Sequence, residues 1–207
     1  MNTYITLLVL ILTLGPIFIA YLIGSIPTSV WISKWIYGID IRDFGSKNAG
    51  ATNALRVLGK TAAIPILIID ILKGIVVTFV SHYAIIADET QSICILGFAA
   101  IIGHIFPIFA GFRGGKGVAT MLGVSIGLFP LATTLSILVF LISVIFNRMV
   151  SLSAIIASLS LPILVYLISS NQTLFIFSIL MPIIIIMTHH KNIKRIINKT
   201  EPKFTLI

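Results

Sequence analysis

The stretch AAIPILIIDILKGIVVTFVS, residues 62–81, decides the fold. Its twenty residues, charged only at Asp70 and Lys73, match the roughly 20 apolar residues that a helix needs to cross a hydrocarbon core of about 30 Å. Six further runs of the same character lie on either side, and seven spans are read from them together. They are Tyr4–Ile23, Ala62–Ser81, Ser92–Ala110, Val118–Phe129, Leu131–Phe146, Leu152–Ile168 and Thr173–Met187. The fourth is short, and Pro130 separates it from the fifth, so it reads as a broken or partly re-entrant helix. Strict two-residue alternation is absent from these runs, which argues against a β-barrel. Lipid offers no partners to backbone polar groups, and the helix satisfies its own. With 58% hydrophobic and 10% charged residues, the composition excludes an ordinary soluble domain. The fold expected is all-α and integral to the membrane, one polytopic domain over residues 1–207.

Charges between the runs give the topology. The first loop holds Lys34, Arg42, Lys47, Arg56 and Lys60, the third Arg113 and Lys116, the fifth Arg148. Lys191, Lys194, Arg195, Lys199 and Lys203 follow the last run. The even loops carry no Lys or Arg, and only Asp88 and Glu89 mark them as charged. Positive charge stays cytoplasmic, so the odd loops and the C-terminus are expected inside and the N-terminus outside. The first run lacks a basic leader and a small-residue cleavage site, and is read as a retained helix. Topogenesis and anionic headgroups account for the net charge of +8, and no nucleic-acid partner is expected. No metal ligand set is visible: the four histidines do not combine with Cys or carboxylates at ligand spacing. No cofactor is expected.

Polar residues gather in three places. From Gly45 to Arg56 the chain reads GSKNAGATNALR. Its small residues let backbone N–H groups approach an anion, while Ser46, Asn48, Gly50, Thr52 and Asn53 add donors and acceptors and Arg56 a guanidinium fork. From Gly103 to Thr120 it reads GHIFPIFAGFRGGKGVAT. Gly114, Gly115 and Gly117 around Lys116, ahead of a helix reaching Thr120, suit an anion cradle. This is no Walker A loop, since Gly117 follows Lys116. In the tail His189 and Asn192 share a helical face, with Arg195 one turn on and Glu201 beyond. Taken alone, a glycine-rich turn, a glycine hairpin and a basic amphipathic tail would explain these segments equally simply. Asp70 and Lys73 read as a neutralised structural pair near the cytoplasmic end of the second span.

In order and over nearly the whole length, these segments resemble the acyl-phosphate-dependent glycerol-3-phosphate acyltransferases of bacterial inner membranes. The family's Gly-Ser-Gly-Asn-x-Gly-Ala-Thr-Asn-x-x-Arg loop is matched by Gly45 to Arg56. Its Gly-His-x-x-Pro and Gly-Gly-Lys-Gly-Val-Ala-Thr segment is matched by Gly103 to Thr120, and its His-x-x-Asn-Ile-x-Arg tail by His189 to Glu201. Lys47 stands where the family usually has glycine, which sets it against any role needing positive φ, and Arg113 replaces the commoner Lys.

The resemblance implies acyl transfer from acyl phosphate to the 1-hydroxyl of glycerol 3-phosphate, giving lysophosphatidic acid and phosphate at the cytoplasmic side of the plasma membrane. It allows contact with the enzyme that forms acyl phosphate. The His-x-x-x-x-Asp signature of thioester-using acyltransferases is absent. Ser46, Arg56, Lys116, His189 and Asn192 are the candidate catalytic residues. Asn48, Gly50, Thr52, Asn53, Gly114, Gly115, Gly117, Thr120 and Arg195 are candidate phosphate-binding residues, and Asp70, Lys73 and Glu201 structural ones. One pocket at the inner-leaflet rim is expected to gather them. The rival reading, an anion or lipid transporter, would place polar residues across the whole membrane thickness, whereas these crowd one half.

Overall fold

A computed structural model describes residues 3–81 and 88–203. They form two compact units bounded Met1–Leu128 and Phe129–Ile207. Among the described residues there are ten α-helices and no strand.

In the first unit, α1 (Thr3–Ser25) stops directly before Ile26-Pro27, and α2 (Thr28–Tyr37) restarts directly after the proline. Gly38 ends α2 in the left-handed conformation, which only glycine adopts without strain. A 3-10 turn at Ile41–Asp43 and a loop lead to the short α3 (Ala51–Leu58), then α4 (Lys60–Val80). Beyond lie α5 (Glu89–Ile105), a second 3-10 turn at Ile108–Ala110, and α6 (Val118–Leu128). The third expected span, Ser92–Ala110, thus breaks as a helix at Phe106-Pro107.

Close packing in lipid depends on small residues at the helix contacts. A Cβ on Gly24 of α1 would strike the carbonyl of Ala100 on α5, and one on Gly103 would strike that of Tyr21. The pairing of α4 with α6 works in the same way, through Gly74 against Thr120 and Gly123 against Ile71. These backbones touch because nothing larger than hydrogen lies between them. Outward, Phe18, Ile64, Leu72, Phe79 and Phe98 are exposed, the apolar band that a bilayer covers.

The second unit stacks α7 (Pro130–Asn147), α8 (Val150–Ile168) and α9 (Gln172–Thr188), with α8 touching both others. Ser136 on α7 donates to the Ala157 carbonyl of α8 at 2.7 Å. The amphipathic α10 (His190–Ile197) follows α9 after a bend of 65°.

Each expected run therefore lies on a helix, but the lengths differ. Among the described residues, five segments are long and apolar enough to cross a membrane, or six if the bent pair α9–α10 is one span. Val118–Leu128 has 11 residues and does not reach that length.

Candidate active site

In the first unit a small cleft is lined by Ile26, Pro27, Thr28, Ala49, Asp70, His104, Pro107, Gly114 and Gly115. Its floor is ionic. Lys73 Nζ donates to Asp70 Oδ1 at 2.6 Å and to the Ile26 carbonyl at 2.6 Å, and Thr28 Oγ1 donates to the same carboxylate oxygen at 2.9 Å. The break at Pro27 frees that carbonyl from helix pairing, and the lysine of α4 ties it down. Two charges this deeply buried survive only as a hydrogen-bonded pair, so the structural reading of Asp70 and Lys73 fits their geometry.

His104 forms one wall. Its Nδ1 lies 3.0 Å from Thr120 Oγ1 and 3.8 Å from Asp70 Oδ1. The other wall is the hairpin between α5 and α6. Gly115 fits there because a Cβ would press on the His104 ring and approach the Ala49 carbonyl to 2.7 Å. The N–H groups of Gly114 and Gly115 donate to the carbonyls of Ile105 and His104, each at 3.2 Å. Two of the three glycines of the expected anion cradle thus also hold the hairpin onto α5. Lys116 sits half-buried between Gly115 and Gly117, and Gly117 takes φ +82° and accepts the first helical bond of α6 from Met121 at 2.8 Å.

The first loop is built around Asn53. Its Oδ1 accepts from the Ser46 N–H at 2.8 Å, while Nδ2 donates to the Ile41 and Phe44 carbonyls at 3.1 Å each. Being 1% exposed, Asn53 acts as a staple for this loop. Thr120 is fully buried against His104. Thr52 and Arg56, four apart on α3, lie on its exposed face, and Ser46 is exposed as well. Asn48 and Gly50 are half-buried, and the N–H of Gly50 donates to the Asn48 carbonyl at 3.1 Å.

Lys47 adopts φ +58° in spite of its side chain. The position does require the left-handed region, which costs a non-glycine residue about 1 kcal/mol or more. Lys47→Gly is accordingly expected to stabilise the protein by about 0.5–1 kcal/mol, part of the strain relief being offset by unfolded-chain entropy. Thermal unfolding of the purified variant checks this; a lower midpoint than wild type would refute it.

In the second unit the polar centre is Glu201. Its carboxylate accepts from Ser151 Oγ and Asn192 Nδ2 at 2.6 Å each and from Arg195 Nε at 2.7 Å. Burial alone would raise the Glu201 pKa, but these donors more than offset it and hold the carboxyl below its ordinary 4.5. Asn192 and Arg195, expected to meet substrate, each direct one donor to Glu201, a partner that shared helical spacing could not foresee. His189 is 2% exposed, and its Nδ1 lies 2.8 Å from the Ile185 carbonyl. That acceptor fixes hydrogen on Nδ1 and makes Nε2 the basic nitrogen of the neutral ring.

Thr28 and His104 line the cleft without having stood out as candidates in the sequence. The signal lay in the Gly24–Pro27 break and the Gly-His-x-x-Pro segment, whose meaning depends on contacts far along the chain.

Comparison with known proteins identifies the family. Residues 14–199 match the family model described as glycerol-3-phosphate acyltransferase. A glycerol-3-phosphate acyltransferase of Fusobacterium nucleatum subsp. nucleatum is 41% identical over 189 residues, covering 91% of this chain and 96% of that protein. Glycerol-3-phosphate acyltransferase 2 of Bacillus anthracis is 44% identical over 185 residues, covering 89% and 95%. The crystal structure of PlsY, an integral membrane glycerol 3-phosphate acyltransferase, in its glycerol 3-phosphate form superposes with a TM-score of 0.86 at 34% identity, covering 93% of this chain and 95% of that one. Its lysophosphatidic acid form gives 0.82 at the same identity and coverage. Three motifs in register, a helical membrane architecture and these likenesses converge, and the chain belongs to the glycerol-3-phosphate acyltransferase family.

Proposed function

We propose that this protein transfers a fatty acyl group from acyl phosphate to the 1-hydroxyl of glycerol 3-phosphate in a bacterial plasma membrane. The observation that carries this reading is the meeting of Ala49, His104, Gly114 and Gly115, from two motifs distant in sequence, around one cleft floored by Asp70 and Lys73. Relatives named for the reaction, and a related structure holding its acceptor, supply the substrate class. The donor is the one that the family resemblance implies, and the absence of a His-x-x-x-x-Asp pair for a thioester agrees with it. In the topology that fits, seven helices cross with the N-terminus outside, and α6 enters as a short span. All three polar segments then lie on the cytoplasmic side, as the Lys and Arg distribution favours.

Acyl transfer here needs two phosphates neutralised, an oxyanion stabilised and a hydroxyl oriented. Lys116 and Arg56 supply charge, with Gly117 and the first turn of α6 adding backbone N–H groups. Ser46, Asn48, Gly50 and Thr52 line the acceptor's phosphate. The glycerol oxygen attacks the acyl carbon, the acyl–oxygen bond to phosphate breaks, and phosphate departs with the electron pair. A substrate phosphate oxygen accepts the hydroxyl proton; His189 and Asn192, in the second unit, are the further candidates that the tail motif adds. No nucleophile with an adjacent base is present among the candidates, so attack is direct, without an acyl-enzyme.

The test is turnover of purified protein in a lipid phase. Palmitoyl phosphate with glycerol 3-phosphate is expected to yield phosphate and lysophosphatidic acid, and palmitoyl-CoA in place of the anhydride none. No product from the anhydride, together with anion uptake into vesicles, would establish the transporter instead.

A further inference from the structure

Arg42 lies outside the three motifs, yet it joins the two loops of the first unit that carry phosphate-binding candidates. Its fork grips Asp40 from two directions, Nε to Oδ1 at 2.9 Å and Nη2 to Oδ2 at 2.7 Å. Asp40 also accepts the Arg42 N–H at 3.0 Å, capping the 3-10 turn that opens the first loop. The remaining nitrogen, Nη1, crosses to the other loop and donates to the carbonyls of Ala110 at 2.8 Å and Arg113 at 3.4 Å. Those carbonyls flank Gly111 and Phe112, both in the left-handed region at φ +62° and +59°. A strained tip of this kind holds its shape only when neighbouring contacts over-determine it.

The two sides of the hairpin are thereby fixed differently. Gly114 and Gly115 are bonded to α5, and the side before them is held by Arg42. With its side chain only 14% exposed, the guanidinium is sheltered, and Asp40 raises its already high pKa while itself being held well below the usual carboxylate range, first by the Arg42 fork. Lys34 also reaches Asp40, at 3.1 Å, but is half exposed.

We infer that Arg42 is a positioning residue: through Ala110 and Arg113 it sets the Gly114–Lys116 segment against the Gly45–Arg56 loop, so that both meet one phosphate group. This rests on the acyltransferase reading above. Three directions of donation are required at once, and lysine, a single point of charge, cannot supply them.

The experiment compares wild type, Arg42→Lys and Asp40→Asn, with Lys34→Ala as control, all in the same lipid phase. Two readouts are taken. Trypsin cleavage after Arg113 and Lys116 is expected to run about fivefold faster in the first two variants, because the hairpin opens locally. The Michaelis constant for glycerol 3-phosphate is expected to rise about tenfold or more while the melting temperature stays near wild type, the pattern of a displaced binding group. Lys34→Ala is expected to match wild type in both. Unchanged cleavage, or faster cleavage with an unchanged Michaelis constant, overturns the inference. Failure of both Arg42→Lys and Asp40→Asn to fold would make the pair a folding element and also overturn it. If wild type itself makes no lysophosphatidic acid, the functional reading fails, while the cleavage readout still tests the clamp.

Discussion

Lys116→Ala is expected to lower turnover by about two orders of magnitude, the usual scale for losing one preorganised charge at a reacting group. That corresponds to about 2.7 kcal/mol of transition-state stabilisation. The backbone explains why the lysine counts for so much. Its neighbour Gly115 is bonded to α5, and Gly117 opens α6, so both sides of Lys116 are pinned before substrate arrives. Little reorganisation remains to be done as charge develops on the departing phosphate. Ser46→Ala and Arg56→Ala are expected to fall in the same range. Their side chains are exposed, but Asn53 fixes the Ser46 backbone and α3 carries Arg56. Steady-state rates with palmitoyl phosphate, taken beside melting temperatures to exclude misfolding, decide the matter. Near-normal rates in all three variants would remove phosphate binding from these loops.

Much of the fold was legible because apolar length is a local property. Each expected run can be counted along the chain without knowing what it packs against, and each lies on a helix. The exception is instructive. Val118–Phe129 is apolar enough but has too few helical residues, since Gly117 opens the helix and Pro130 starts the next. The sites were legible only as neighbourhoods. Which donors of Gly114, Gly115, Asn53 or Thr120 face outward depends on acceptors on other elements, and sequence spacing carries no trace of Ile105, His104 or Phe44 as partners. Arg42 shows the same limit from the other side. In sequence it is one more basic residue, although its fork spans two loops 68 residues apart. Lys47 misleads for a physical reason: residue type states what a backbone prefers, and the surrounding bonds decided otherwise.

Glu201→Ala is expected to destabilise the second unit by about 3 kcal/mol, because it strands buried donors. Ser151 and Asn192 are 8% and 6% exposed and would lose an acceptor that water reaches poorly, whereas Arg195, about a third exposed, would rehydrate. Glu201→Gln is little better, since its amide would turn an N–H toward one of three donors. A loss of this size lowers the melting temperature by roughly 6–12 °C in a chain of this length. The pH dependence has a definite sign. The folded carboxyl titrates below 4.5, so its contribution is fully present above that pH and is lost as pH falls through the lower, folded value. Wild type should therefore lose stability on acidification below about 4.5, and Glu201→Gln should lack that component. Folding is expected to suffer more than chemistry, because the bonds of Glu201 run to Ser151, Asn192 and Arg195 within the second unit. An unchanged melting temperature in Glu201→Ala, or parallel acid curves for wild type and Glu201→Gln, would show that this carboxylate does not hold the tail.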